Sequence, residues 1–508
     1  MKKLDIGVVV TTLIIVTISC SLAFFAARVV GEPKDINLVA KNVAITFNDT
    51  SIIANGVVSP GWNTTKTFTI TNNSKEEYKY NISIKDLINT FVTKGYLQYK
   101  ITSTNSGYNM TEFKDIPKSS APKDTILAYS VSIPVGVTQN YTIEFKYAND
   151  ESVDQSDDMG RKLSGTLFIT EGTEEPVTLL SQILNDNPTR STRSNNNNGT
   201  NDFATPLTAT TTGTLFTSTE SITGITDSPK EVYYYAGNTT NNWVKFAGLY
   251  WRIIRTNHDS SIRLLYVGTS HDTTDGNIGT SKFNISDNSP KYAGYKYGED
   301  TSLDTIRNNT TDSTIKTFID SWYETNLTNY TKYLSTSAVY CNDRSLGTGQ
   351  TYSASADFNF APYYRMDYDT DGTSANPSYN CSDVRDAFSV ENTNAKLDYP
   401  VSLMTADEIA FAGGVANQTM NTSYAWFISN SVGTQVSTYW WSLSPSNWFN
   451  GYAFVWVWYS GNTYLDDNYV VHTDAVRPAI SLKSCTLYST GDGTSESPYE
   501  IVETSSGC

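Results

Sequence analysis

The sequence predicts a mostly β protein: an N-terminal transmembrane helix, an Ig-like β-sandwich, a linker and an α+β C-terminal domain. Three observations carry this reading. The chain opens on one long apolar run, residues 36–172 alternate between apolar and polar with period two, and capped segments of helical spacing occur only in the C-terminal half, among further strand-like runs. Composition agrees, because 39% hydrophobic residues with 34 Tyr and only 17% charged residues describe a folded, neutral-polar, β-rich chain. At 508 residues it has room for about three folded units. A net charge of −16 and a pI near 4.7 repel phosphate backbones, so nucleic acid is excluded as an expected partner.

Residues 1–35 form the cytoplasmic tip and signal-anchor. Lys2 and Lys3 precede an apolar stretch from Ile6 to Val30, longer than the ~20 residues that cross a bilayer as a helix. The two lysines hold the N-terminus inside, which places the rest of the chain outside the cell membrane as a single-pass protein. The competing reading is a cleaved signal peptide ending near Ala23 to Ala27, but its apolar core would exceed the usual ~7–15 residues. Cys20 is assigned to the membrane segment.

Residues 36–172 form the sandwich. Phe68 and Ile70 alternate with Thr67, Thr69 and Thr71; Tyr78, Tyr80, Ile82 and Ile84 follow; Tyr141, Ile143, Phe145 and Tyr147 alternate with Thr142, Glu144 and Lys146. Asn72-Asn73-Ser74 and Pro134-Val135-Gly136 supply turns, and Leu163 to Ile169 closes the domain. The stretch from Ser59 to Asn72 resembles the membrane-proximal sandwiches of Gram-positive surface proteins, including the camelysin-type matrix proteins. Residues 173–228 open on a short apolar segment, Val177 to Leu184, that could make one or two helical turns, continue through Asn195 to Asn198 and a threonine run up to Thr214, and read as a flexible linker.

Residues 229–508 are the third region. Trp243 to Phe246, Leu249 to Arg255 and Ile262 to Val267 read as a strand meander. Ile315, Phe318, Ile319 and Trp322 fall at helical spacing behind Asp312/Ser313, and Thr405-Ala406-Asp407-Glu408 has the form of a capping box. Tyr233 to Asn238, Asn241 to Gly248, Trp251 to Arg255, Tyr340-Cys341-Asn342-Asp343-Arg344, Leu403 to Glu408, Tyr439 to Pro445 and Ala475-Val476-Arg477-Pro478-Ala479-Ile480 together resemble an uncharacterised extracytoplasmic domain of Gram-positive gut bacteria. That domain is in turn similar to the C-type-lectin-like fold of formylglycine-generating enzymes. The resemblance implies a C-type-lectin-like fold here; the formylglycine-type activity needs a reactive cysteine pair that this sequence does not place.

Catalytic motifs fail. H-E-x-x-H, C-x-x-C and Walker-type loops are absent, and His258, His271 and His472 are the only histidines. Ser313-x-x-Lys316 and Ser286-Asp287-Asn288 match penicillin-recognising elements in reversed order with no K-T-G after them. Asp407 and Glu408 diverge by ~100° on a helix, which does not suit a glycosidase pair, and capping accounts for Glu408.

The remaining functional readings are a non-catalytic adhesion module binding a glycan or a surface protein, an extracytoplasmic enzyme with a dispersed site, and a matrix-forming subunit. The densest aromatic segment, Tyr439 to Tyr459, supplies the ligand residues of the first: Trp448, Asn450, Trp456 and Trp458, with core packing as the competing role. Calcium is the one cofactor suggested, since Asp367, Asp369 and Asp371 begin a D-x-D-x-D-G loop, although Ser378 in place of the closing Glu excludes a complete EF-hand and an acidic surface turn is the slightly favoured account of the run. Of three pairings of the four remaining cysteines, proximity favours Cys341–Cys381 and Cys485–Cys508 in an oxidising compartment.

Overall fold

The computed structural model describes residues 36–504 apart from 41–42, 50–57, 59, 159, 194–202, 204–206, 208–212, 273–275, 367–374, 418, 420–425, 428–438 and 461–462, together with residue 507. The expected signal-anchor of residues 1–35 lies outside these; no helix among the described residues is long and apolar enough to cross a membrane. The chain is mostly β and divides between Glu175 and Pro176 into two compact units.

The first unit holds two antiparallel sheets. The larger runs in the order Ile36–Ala40, Val43–Asp49, Asn63–Asn72, Thr138–Tyr147, Leu97–Ser103, Lys114–Asp115; the smaller places Tyr78–Asn89 between Ser119–Ile133 and Leu163–Glu171. Period-two patterning decides the arrangement: Phe68 and Ile70 on one strand and Tyr141, Ile143 and Phe145 on its partner face inward, while the alternating threonines stay toward water. Tyr80, Ile82 and Ile84 of the smaller sheet close the same core, giving a β-sandwich. A polar cluster inside it is satisfied, because the Tyr80 hydroxyl meets both Gln139 Oε1 (2.5 Å) and the Tyr141 hydroxyl (2.6 Å).

The second unit starts earlier than expected. The linker assignment of 173–228 does not hold: Thr178 caps a helix Leu179–Asp186 whose Leu179 and Ile183 enter the main core, and Thr189–Thr192 pairs in parallel with strand Thr214–Glu220. Residues 173–175 belong to the first unit, where the Thr173 backbone N–H donates to Asn81. Composition misled here because threonine, common in linkers, is also β-branched and strand-forming. Asn195 to Asn198 lie outside the described residues.

The predicted meander is present as Trp243–Phe246, Leu249–Thr256 and Ile262–Gly268, its first turn made by Ala247 and Gly248 at positive φ. It forms the middle of a ten-stranded sheet in which the C-terminal strand Tyr499–Ile501 lies parallel to Trp243–Phe246. Both predicted helices exist. Thr314–Asn326 carries the Ser313 cap and buries Ile315, Ile319 and Tyr323; Ala406–Phe411 carries the complete Thr405/Glu408 capping box. A second sheet is built on Tyr439–Phe449, Tyr452–Tyr459 and Tyr464–Tyr469. The Cys341–Cys381 disulfide is formed as expected; Cys485 is disulfide-bonded too, and Cys508, its expected partner, lies outside the described residues.

Candidate functional site

Charge inside the second unit is concentrated where the two central strands meet the Ala406–Phe411 helix. Arg255 and Arg263 are cross-strand partners and point to one face. Glu408 reaches them from the first turn of the helix: its Oε2 accepts the Thr405 backbone N–H (3.0 Å), and its Oε1 accepts Arg255 Nε (2.8 Å) and Arg263 Nη1 (2.5 Å). Glu220 takes Arg255 Nη2 at 2.8 Å and the His258 backbone N–H. Burial alone would raise Glu220, but Arg255 and His258 beside it bring its carboxyl down to about 2. Arg365 forks onto Asp407 (2.8 and 2.9 Å) and reaches Asp343 (2.7 Å). The cavity above these groups is only about 20 Å³, room for one water. With each guanidinium facing a carboxylate and no space for a substrate, the network is a structural clamp.

Three further sequence features resolve into structural roles. Ser313 Oγ accepts the Lys316 backbone N–H (3.2 Å), so it is a cap, whereas the Lys316 ammonium sits among Asp312 (3.1 Å), Asp320 (2.6 Å) and Asp398 (2.7 Å). Those three carboxylates converge as metal ligands would, yet the ammonium already occupies their centre. Ser286 Oγ merely donates to Asn288 Oδ1 in a local turn. The expected calcium residues Asp367, Asp369 and Asp371 lie outside the described residues.

The aromatic site expected at Trp448, Asn450, Trp456 and Trp458 is corrected in part. Trp448, Trp456 and Trp458 are 3%, 0% and 0% exposed, so no ligand reaches their rings. Strand Tyr452–Tyr459 lies between two partners in its sheet and both of its faces are covered, leaving no outward row for the predicted alternation. Asn450 alone of the four is exposed, at φ 53° ahead of Gly451 at φ 82°, in the two-residue turn that joins Phe449 to Tyr452. Its backbone N–H donates to Asp357 (2.9 Å).

That turn carries the exposed aromatics instead. Phe449 is 50%, Tyr452 44% and Tyr469 37% exposed, and the Tyr452 and Tyr469 rings lie 5.5 Å apart. Tyr469 packs on Phe454 (4.3 Å) and beside exposed His472 (5.2 Å). Exposed Ile285 belongs to the segment that brackets this corner, since Asn284 N–H donates to Val470 and Ala453 N–H to the Asp287 carbonyl. Exposed apolar surface gathered at one rim marks an interaction site more often than scattered single residues do. The sequence signal was the Phe-Asn-Gly-Tyr turn itself, with aromatics on both sides of a two-residue hairpin loop.

One titratable group sits behind this corner. The Asp467 carboxylate accepts Ser446 Oγ (2.6 Å) and Asn447 Nδ2 (2.7 Å), and burial, with Asp466 adding, pushes it up to about 6. Its folded value exceeds the unfolded ~3.9, so the unfolded chain loses this proton first and stability falls as pH rises from about 4 to about 6. Asp467→Asn keeps the acceptor and is expected to flatten that fall, gaining about 2–3 kcal/mol at pH 7. Melting curves of both proteins from pH 4 to 8 check this; parallel profiles contradict it.

No family model and no curated protein match the chain. A solved structure of AvmM, which catalyses macrocyclization in alchivemycin A biosynthesis, aligns with 29% of this chain and 100% of its own at 12% identity and a TM-score of 0.16. A likeness of that size carries no argument about fold or function.

Proposed function

We propose that this is a membrane-anchored bacterial surface protein whose second unit is a non-catalytic adhesion module for neutral glycans, docking at the Phe449/Tyr452/Tyr469 corner with Asn450 at its tip. In this reading the first unit is an Ig-like stalk on a single-pass anchor and the second is C-type-lectin-like, with calcium at the Asp367–Asp371 loop as its one suggested cofactor. The observation that carries it is the cluster of ring faces left in water where the same hairpin's tryptophans are fully buried. Ring faces beside amides and hydroxyls suit the apolar face and equatorial hydroxyls of a sugar. Charge selects the neutral class. From Ile409 to Leu465 the sequence contains no Asp, Glu, Lys or Arg, and a net charge of −16 disfavours anionic polymers.

A glycan array probed with the full-length chain in detergent tests the reading. Neutral glycans should bind, and Tyr452→Ala and Tyr469→Ala should each weaken binding at least tenfold with an unchanged melting temperature. Half-exposed side chains of this kind contribute little to stability, so folding should survive. Binding confined to charged glycans or to proteins, or binding untouched by both substitutions, overturns it.

A further inference from the structure

Arg477 is an unusual cation for a protein interior. It is 1% exposed, and its described partners are all neutral: Nη1 donates to the Phe427 carbonyl (3.2 Å), Nη2 to the Tyr266 carbonyl (3.3 Å), and the guanidinium lies 5.1 Å over the Trp440 ring. Elsewhere in this unit the buried guanidiniums of Arg255, Arg263 and Arg344 each meet a carboxylate. Phe427 and Trp440, which contact Arg477, lie in a stretch of sequence with no acidic residue between Glu408 and Asp466.

Donors without acceptors gather at the same place. The indole N–H groups of Trp440 and Trp458 and the Nε–H of Arg477 are buried and unbonded. Trp440 and Trp458 are cross-strand partners, and both rings stand edge-on to Phe427, at 6.4 and 4.8 Å, whose carbonyl takes Arg477. All three residues therefore contact Phe427. A buried N–H left unpaired costs free energy, and a buried cation left unpaired costs more.

We propose that Trp440, Trp458 and Arg477 hold a small monovalent anion of halide size in the interior of the second unit. An anion accepts several N–H groups at once and supplies the counter-charge; a water molecule does only the first. Burial lowers the Arg477 pKa to about 9, which marks the charge as uncompensated by its described neighbours. Guanidinium does not give up its proton under ordinary conditions, so this buried cation calls for negative charge beside it.

Bromide serves as the probe, because it scatters anomalously and quenches indole fluorescence. In the full-length chain, bromide should quench part of the tryptophan emission saturably, raise the melting temperature relative to sodium gluconate at equal ionic strength, and give an anomalous peak beside the two indole nitrogens. Trp458→Phe keeps the ring and deletes one donor, and should weaken the bromide midpoint at least fivefold; Arg477→Lys keeps the charge in case the first variant fails to fold. Linear quenching with equal melting in both salts and no anomalous peak would show that the site holds water, and would overturn the proposal.

Discussion

Glu408→Ala is expected to lower the stability of the second unit by about 3–5 kcal/mol, the range for breaking a buried ion pair by deleting one partner. One carboxylate performs three tasks. Its Oε2 caps the helix at Thr405, and its Oε1 is shared by Arg255 and Arg263, both on adjacent central strands. Although burial raises its pKa, Arg263 and Arg255 hold it lowered, so it stays ionised in the folded state. Removing it strands two guanidiniums behind a cavity that admits only one water, with Glu220 left to answer for Arg255 alone. For a unit of this size the loss corresponds to roughly 5–10 °C in melting temperature. Asp304→Ala is the control, since it deletes an ion pair to Arg385 from a side chain that is 80% exposed and should change stability by no more than about 0.5 kcal/mol. Equal melting of the two variants would mean that the arginines relax to solvent and that the clamp adds nothing.

How much of this was legible beforehand depended on the range of the cause. Strands with one wet face announced themselves, because the alternation of Phe68 and Ile70 with threonine follows from a single buried face. Caps were legible for the same reason: Thr405 and Glu408 are three residues apart and act on each other. The hairpin tryptophans were misplaced because alternation carries no information once both faces of a strand are covered. Ala453 to Trp458 contains no polar residue, and a continuous apolar run is itself the mark of a strand buried on two sides. The clamp was out of reach by any local rule. Glu220, Arg255, Arg263 and Glu408 span 188 positions (408 − 220) and meet only through sheet pairing and helix placement. The misread linker shows the converse, where a local composition was real but Leu179, Ile183 and Leu215 found long-range partners.

Removing the Cys341–Cys381 disulfide by Cys341→Ser with Cys381→Ser is expected to cost about 4 kcal/mol, the chain-entropy figure for a loop of this length. The bond joins residues 40 apart and fixes more than the two cysteines. Cys341 lies on a short strand whose partner is Ala387–Phe388, and Cys381 exchanges backbone hydrogen bonds with Ser221 and Thr223, at the end of strand Thr214–Glu220. Within the loop, Asp343 and Arg365 pair with each other and Arg365 holds Asp407 on the capped helix. The disulfide thus restricts in the unfolded chain the segment that the charge clamp organises in the folded one. Cys381 is buried and Cys341 half-buried, so attack at the Cys381 sulfur needs opening of the structure, and dithiothreitol should reduce the bond far more slowly in the native protein than within its melting range. Denaturation of the double variant and of the parent measures the difference directly. A loss below about 1 kcal/mol would mean that the unfolded loop is already held together by its own contacts, and the entropy account would fail for this bond.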